Sequence, residues 1–303
     1  DAINRRSKFD LLLQVSVDDP LAPLRGGPNQ RDRLTAVLMT GWMILGLPMA
    51  FHKAKRGITI PWIGVVLSIN MKLEQMTAEV TAEKLEEIRI LTDEYLKVNV
   101  IGRKKIRTYV SKLQAMASIL YTLRPFLKDF WAAFYDKETW APAGCIWQSQ
   151  VHTALLWIQA FAQMQSSGPL RRIFTLQAHL NLGENIHICT DASPWGYGAI
   201  LCIDFVPVEF FAEPISKGDQ VHLNAAAGNH LGQQVWEAMA ILIAMRVWSR
   251  CWKHKRMSVT VKSDNVTALT MISALKASGP ALATIARELA LDLSFSEYAP
   301  DLI

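Results

Sequence analysis

Three carboxylates in the C-terminal part of the chain stand among residues that offer them little company. From Asn185 to Ile203 the only formally charged residue is Asp191, at the end of an apolar run. From Gln220 to Met245 it is Glu237, within VWEAMAILIAM. Asp264 follows MSVTVKS, where a strand gives way to a helix. Ionised carboxylates are seldom buried without partners, because desolvation is expensive. A helix cap or a local salt bridge accounts for any one of them, Asp264 most readily. Few cations lie nearby in sequence to account for all three, and two strand ends with a facing helix could bring them to one point. Oxygen ligands with no His or Cys at metal-ligand spacing suit Mg²⁺ or Mn²⁺ rather than zinc. A carboxylate-held ion pair about 4 Å apart suits phosphoryl transfer, one ion activating water and the other stabilising the leaving oxygen.

The surrounding pattern must supply the elements that position these acids. Residues 185–191, 195–203 and 206–212 read as three short strands, followed by a long helix over 231–249, a strand over 257–263 and helices near 265–276 and 280–292. That order predicts a mixed sheet with helices on its faces, in an α/β (α+β) chain. Nearer the N-terminus, residues 9–18 read as a strand running into the turn Asp18-Asp19-Pro20, with a helix from Asp32 to Met43. Residues 57–69, interrupted by Pro61 and Gly64, read as a hairpin. Thr81 caps a helix with Leu85, Ile88, Leu91 and Tyr95 on one face. In a second helix Ile106, Tyr109 or Val110, Leu113, Met116 and Leu120 point inward, while Arg103, Lys104, Lys105, Arg107 and Lys112 form a basic side. Such a side is either a solvated face or an edge that lies along a phosphate backbone. Residues 136–150 read as loop and 151–164 as a helix.

Composition narrows the classes. The chain has 303 residues, 50% hydrophobic and 19% charged, with ten Trp, which excludes disorder. Residues 1–185 carry 23 Lys and Arg against 16 Asp and Glu, and residues 186–303 carry 9 against 11, so a basic front suited to a polyanion precedes an acidic back. Cys145, Cys189, Cys202 and Cys251 are far apart, which predicts no disulfide framework and a reducing compartment. The apolar run Ala36–Phe51 contains Gly41, Gly46 and Pro48 and is too short for a membrane span, so a buried helix with a loop is expected there. No signal peptide is visible, and an intracellular location, cytoplasmic or nuclear, with no membrane partner is expected. Leu201 stands where the dinucleotide fingerprint begun by Gly196 and Gly198 needs glycine, and neither GxSxG nor HExxH occurs.

The run from Thr190 to Ala199 (TDASPWGYGA), then Trp236-Glu237-Ala238, then Ser263-Asp264-Asn265, resembles the ribonuclease H domain of retroelement polyproteins. In that family the first strand, first helix and fourth strand each give one metal-binding acid, positions matched here by Asp191, Glu237 and Asp264. A fourth acid lies near the end of the family's domain, and Asp301 is a poor substitute because it reads as loop. Ser16-Val17-Asp18-Asp19 resembles the YxDD motif of reverse transcriptases, whose hairpin holds acids that bind the polymerase metal, so Asp18 and Asp19 become catalytic candidates and Asp18 a metal ligand. Lys53 falls where that family places a lysine near the incoming nucleotide's phosphates. Trp62-Ile63-Gly64-Val65-Val66-Leu67 looks like the primer grip, giving Trp62, Ile63 and Gly64 as nucleic-acid contacts beside Arg103, Lys104, Lys105 and Arg107.

The resemblance implies a fragment of an LTR- or DIRS-like retrotransposon polyprotein, a slice of a longer protein cut at both ends. Its parts would be the end of a reverse transcriptase palm over 1–70, a thumb over 71–135, a connection over 136–183 and a ribonuclease H-like domain over 184–303. The implied activity is two-metal hydrolysis of the RNA strand of RNA–DNA hybrids with Mg²⁺ or Mn²⁺, the implied partners the hybrid, template-primer nucleic acid and other polyprotein parts. Ser16 replaces the usual aromatic residue of the palm motif, and one aspartate pair cannot by itself place two ions, so no polymerase activity is expected from this chain alone. Two alternatives remain: an inactive nucleic-acid-binding remnant, and another nuclease or transposase sharing the ribonuclease H fold.

Overall fold

Alternation of apolar and polar side chains marks several strands of this protein, and side-chain caps at Thr81, Ser216 and Asn265 start three of the helices among the described residues. The computed structural model describes residues 13–16, 19–47, 50–62, 64–118, 120–136, 141–164, 170–180, 184–252, 258–277, 279–295 and 301–302. The first two strands, β1 (Gln14–Ser16) and β2 (Asp19–Leu21), pair antiparallel with Ser16 opposite Asp19, so Asp19 and Pro20, expected in the turn, belong to a strand, while residues 9–12, 17 and 18 of that reading lie outside the described residues. Helix α1 (Pro28–Ile44) begins four residues earlier than predicted, since Pro28 sits in the first turn where its missing N–H is no loss. The helix ends ahead of Gly46, whose φ of +69° closes the turn. None of its residues is buried, which overturns the expected buried helix. Its apolar residues, 36–39 and 42–44, spread around the circumference and leave no single stripe to cover. No described helix is long and apolar enough to cross a membrane.

A 3₁₀ turn at Phe51–Lys53 leads into an antiparallel meander of β3 (Thr59–Trp62), β4 (Val65–Asn70) and β5 (Gln75–Val80). Pro61 is tolerated because β3 is the edge of its sheet. Helix α2 (Ala82–Leu96) starts where predicted, with the Thr81 hydroxyl accepting from the Lys84 N–H at 3.4 Å. It is joined to α3 (Arg103–Ala117) through a short strand, β6 (Val100–Gly102). The inward face of α3 is the predicted one, with Ile106, Tyr109, Val110, Leu113 and Met116 all buried. Tyr109 is held edge-on between Tyr95 and Phe130, with centroids 5.3 and 5.6 Å away, and its hydroxyl shares a 2.7 Å hydrogen bond with Thr92.

After a 3₁₀ turn at Tyr121–Phe126 come α4 (Lys128–Tyr135), β7 (Cys145–Trp147), α5 (His152–Met164), β8 (Arg171–Thr175) and α6 (Leu176–His179). The stretch 136–150 is thus more than loop: β7 pairs with β6. Strand β8 pairs with β5 and α5 packs on α2, so residues 145–175 close the same body that begins at β3.

The back half is the predicted mixed sheet. Strands β9 (Ile186–Ala192), β10 (Gly196–Ile203) and β11 (Val206–Pro214) form an antiparallel meander, and β12 (Ser258–Lys262) and β13 (Asp301–Leu302) run parallel to β9 in the order β11-β10-β9-β12-β13. The outer strand β11 is exposed almost throughout, with Val206, Val208 and Phe210 facing solvent. The helices are α7 (Lys217–Leu223), opened by a capping box of Ser216 and Asp219, α8 (Gln233–Val247), α9 (Val266–Ala274) and α10 (Pro280–Phe295). Helix α8 lies against β9 and β10, and α10 packs on both α8 and the 3₁₀ turn of the front half. The chain is α+β.

Arg103 opens α3 yet turns inward. Its guanidinium donates to the carbonyls of Phe134 (3.1 Å), Asp136 (3.0 Å) and Cys145 (3.4 Å), acceptors that α4 and β7 would otherwise leave open at their ends. Arg103→Ala should therefore lower stability by about 2 kcal/mol, a fall of several degrees in the midpoint of thermal unfolding. A midpoint unchanged within a degree would show that water replaces the guanidinium at no loss.

Candidate metal centre

Asp191 is the next-to-last residue of β9, a strand hydrogen-bonded on both sides by β10 and β12. Gly198 lies opposite it, and a Cβ there would stand 3.0 Å from the Phe211 carbonyl oxygen; at Gly196 the distance to the Glu213 carbonyl is 2.8 Å. These glycines serve the close approach of β11 to β10, which accounts for the Gly-x-Gly spacing without a nucleotide. Glu237 sits in the second turn of α8 and is only 2% exposed. Asp264 occupies the turn between β12 and α9. It does not cap that helix: Asn265 does, accepting from the Ala268 N–H at 3.0 Å, so Asp264 is left available.

One carboxylate oxygen from each of the three acids lies within 4.8 Å of the others. None of the three has an ion-pair partner among the described residues. Burial pushes the Glu237 carboxyl above its ordinary range, and the negative charges of Asp264 and Asp191 push it further. The Gln233 side-chain amide at 3.1 Å and the Ala192 N–H donate to Glu237 and partly offset that rise. Ser263 Oγ reaches the other Glu237 oxygen at 3.5 Å. Gln233 also donates to the Ala192 carbonyl, while its own Oε1 is buried with no donor. Three hard oxygen ligands, no compensating cation and an orphaned acceptor beside them fit a divalent cation; neither His nor Cys belongs to the cluster.

The burial premise holds for Glu237 alone. Asp191 and Asp264 are exposed, because both stand where strands of the sheet end and the chain emerges into solvent. Asp301 opens a strand rather than lying in a loop. Its register partner is Ser258, at the start of β12, whereas Asp264 follows the other end of that strand.

The remaining candidates are scattered. Asp19 begins β2, while Asp18 and Ile63 lie outside the described residues. Lys53 is exposed at the end of its 3₁₀ turn, and Trp62 is half-buried at the end of β3. Gly64 has φ +86° in the β3–β4 turn, and the Lys84 ammonium lies where a Cβ would be. Lys84, distant in sequence, is a cation at this turn that spacing gives no way to find. Of the basic side of α3, Arg103 is spent on carbonyls, Lys105 faces Glu94 at 3.7 Å and Lys112 pairs with Glu87. Lys104 and Arg107 are exposed, with no ion pair among the described residues. Trp195, in the turn after β9, is 68% exposed.

Since burial and the neighbouring carboxylates disfavour the charged form of Glu237, Glu237→Gln should stabilise the metal-free protein at pH 7 by about 1 kcal/mol. The folded state holds the Glu237 proton more tightly than the unfolded one, so the destabilisation it removes is present above the folded pKa and vanishes below the unfolded value. Melting curves in a chelator at pH 7 and pH 4 check this; equal midpoints for the two proteins at pH 7 would refute it.

No protein-family model matches the sequence, and no curated protein does. Among solved structures the chain is similar to the foamy viral protease-reverse transcriptase. The complex with double-stranded DNA of the form designated dRH has a TM-score of 0.35 at 10% identity, with 96% of this chain and 45% of that one covered. The complex with RNA/DNA hybrid gives 0.36 at 10%, covering 96% and 35%, and a further complex with double-stranded DNA gives 0.33 at 10%, covering 96% and 54%. The chain spans about half the length of these proteins or less, and the likeness is one of distant overall fold.

Proposed function

We propose that this chain is a metal-dependent nuclease of the ribonuclease H kind, cleaving the RNA strand of RNA–DNA hybrids, joined to the end of a reverse transcriptase palm and a helical thumb. The observation that carries the reading is the convergence of Asp191, Glu237 and Asp264 within 4.8 Å, from a first strand, a first long helix and the end of a fourth strand of one mixed sheet. The same three residues carry the motif resemblance to the retroelement ribonuclease H domain.

Each acid has a distinct task. Glu237, gripped by Gln233 and Ala192, is the fixed point. Asp191 and Asp264 face outward, where a phosphodiester backbone can approach. Together they would hold Mg²⁺ or Mn²⁺, which when bound supplies water activation and charge stabilisation at the leaving oxygen. Trp195, four residues after Asp191 in the turn that follows β9, offers an exposed ring suited to stacking or packing against the substrate. The hybrid itself would be told from DNA by its shape and its 2′-hydroxyls. No polymerase chemistry is assigned to the chain, since the Asp18–Asp19 hairpin alone does not place two ions.

Cleavage of the labelled RNA strand of a hybrid in Mg²⁺ or Mn²⁺ tests the reading. Asp191→Asn should lower the rate by about a hundredfold or more and leave the circular dichroism spectrum unchanged, while EDTA should abolish cleavage. A hybrid bound tightly but left intact by the parent protein would favour the inactive remnant instead.

The thumb-like helices provide the second test. Neutralising Lys104 and Arg107, the two cations of α3 with no ion pair among the described residues, should weaken hybrid binding and reduce the slope of log K against log salt by about 2, at nearly one counterion per charge. An unchanged slope would make this a merely solvated face.

A further inference from the structure

A concavity lined by four cations lies away from the acids. It is a cavity of ≈ 750 Å³ between the end of α3 and the start of α4 on one side and the α9–α10 connection on the other. Arg124, Lys128, Lys276 and Arg287 line it, and no acidic side chain does. Arg124 and Lys276 are exposed and unpaired among the described residues. Lys128 donates to the Ala277 carbonyl at 2.7 Å, tying the two walls together. Arg287 is only 5% exposed; one Nη donates to Asp129, yet its Nε–H is buried with no acceptor. A guanidinium does not shed its proton, so this orphaned donor asks for an acceptor.

The rest of the wall is chiefly apolar, with the half-buried face of Trp131 among its surfaces. Leu275, fully buried in the same wall, adopts φ +48°, a conformation uncommon for a branched side chain, and so directs Lys276 and the Ala277 carbonyl to the cavity. A bare inorganic anion would satisfy the cations and leave the apolar volume empty. An apolar ligand would leave the cations facing one another. The size lies in the range of small-molecule sites.

We propose that this cleft binds a nucleoside phosphate, its base against Trp131 and its phosphates between Arg124, Lys276 and Arg287. The ligand could be a free nucleotide or the phosphorylated end of a nucleic-acid strand, which present the same chemistry. The site is separate from the carboxylate cluster and does not rest on the nuclease reading.

Calorimetric titration with ADP in EDTA keeps the acidic cluster out of the measurement. ADP should bind saturably, at least about tenfold more tightly than inorganic phosphate or adenosine. The double variant Arg124→Ala, Lys276→Ala, which alters only exposed side chains, should weaken ADP by roughly tenfold or more with no change in melting midpoint. A 5′-phosphorylated dinucleotide that displaces ADP places a strand end in the cleft; one that fails to displace it assigns the cleft to free nucleotide. Absence of saturable binding, equal affinity for phosphate and ADP, or an affinity indifferent to the double variant would each overturn the proposal.

Discussion

Mutual repulsion among three carboxylates is the constraint around which the back half is organised. Two unit charges about 4 Å apart repel by ~1 kcal/mol in water and ~4 kcal/mol in a protein-like medium, so side chains free to move would separate. Here they cannot. β9 is locked between two neighbouring strands, α8 is anchored by a fully buried Trp236 and a row of apolar residues, and Asn265 fixes the turn that carries Asp264. Gln233 and Ala192 then hold the most buried carboxylate from two sides. The strain is concentrated in a small volume and borne by the packing of a whole sheet and helix.

That packing continues into the front half. Helix α10 lies against α8 on one side and the 3₁₀ turn Tyr121–Phe126 on the other. Arg287 ties it to Asp129 and lies 5.9 Å from the centre of the Trp157 ring. The basic helical body and the acidic sheet domain therefore share a buried contact, which fixes the outward side chains of α3 relative to the carboxylates.

Much of this was legible in sequence, for reasons that differ by element. Strands β9 to β12 and helix α8 announced themselves by alternation and by apolar length, and fall within a few residues of their expected bounds. β5 has a weaker signal: Met76, Ala78 and Val80 alternate with polar residues, but over six residues only, directly before the Thr81 cap of the helix that follows. α7, seven residues long, rests on one capping box and carries no periodic stripe. The acids were found by their isolation in charge, yet isolation was a proxy: two of the three are exposed, and what unites them is sheet topology. The contacts of Gln233 and Ser263 with Glu237, and the place of Lys84 at the β3–β4 turn, have no signal in spacing, the first two side chains being uncharged and the third remote in the chain. Nor has the inward turn of Arg103, since helical periodicity names a face but not the carbonyls, 31 to 42 residues away, that wait beside it.

The outer strand β11 has a consequence for how the molecule behaves among its own kind. Paired among the described residues with β10 alone, nine residues long and carrying exposed Val206, Val208 and Phe210, it presents a row of open backbone groups beside an apolar surface. Such an edge is a template on which another chain can add a strand. Pro207 and Pro214 interrupt that template by removing donors, and Glu209 and Glu213 charge it, with Glu209 held by Arg250 and the Trp248 indole. Prolines and charges of this kind oppose strand addition, so the edge that closes the sheet on this side is left open in geometry yet guarded in chemistry.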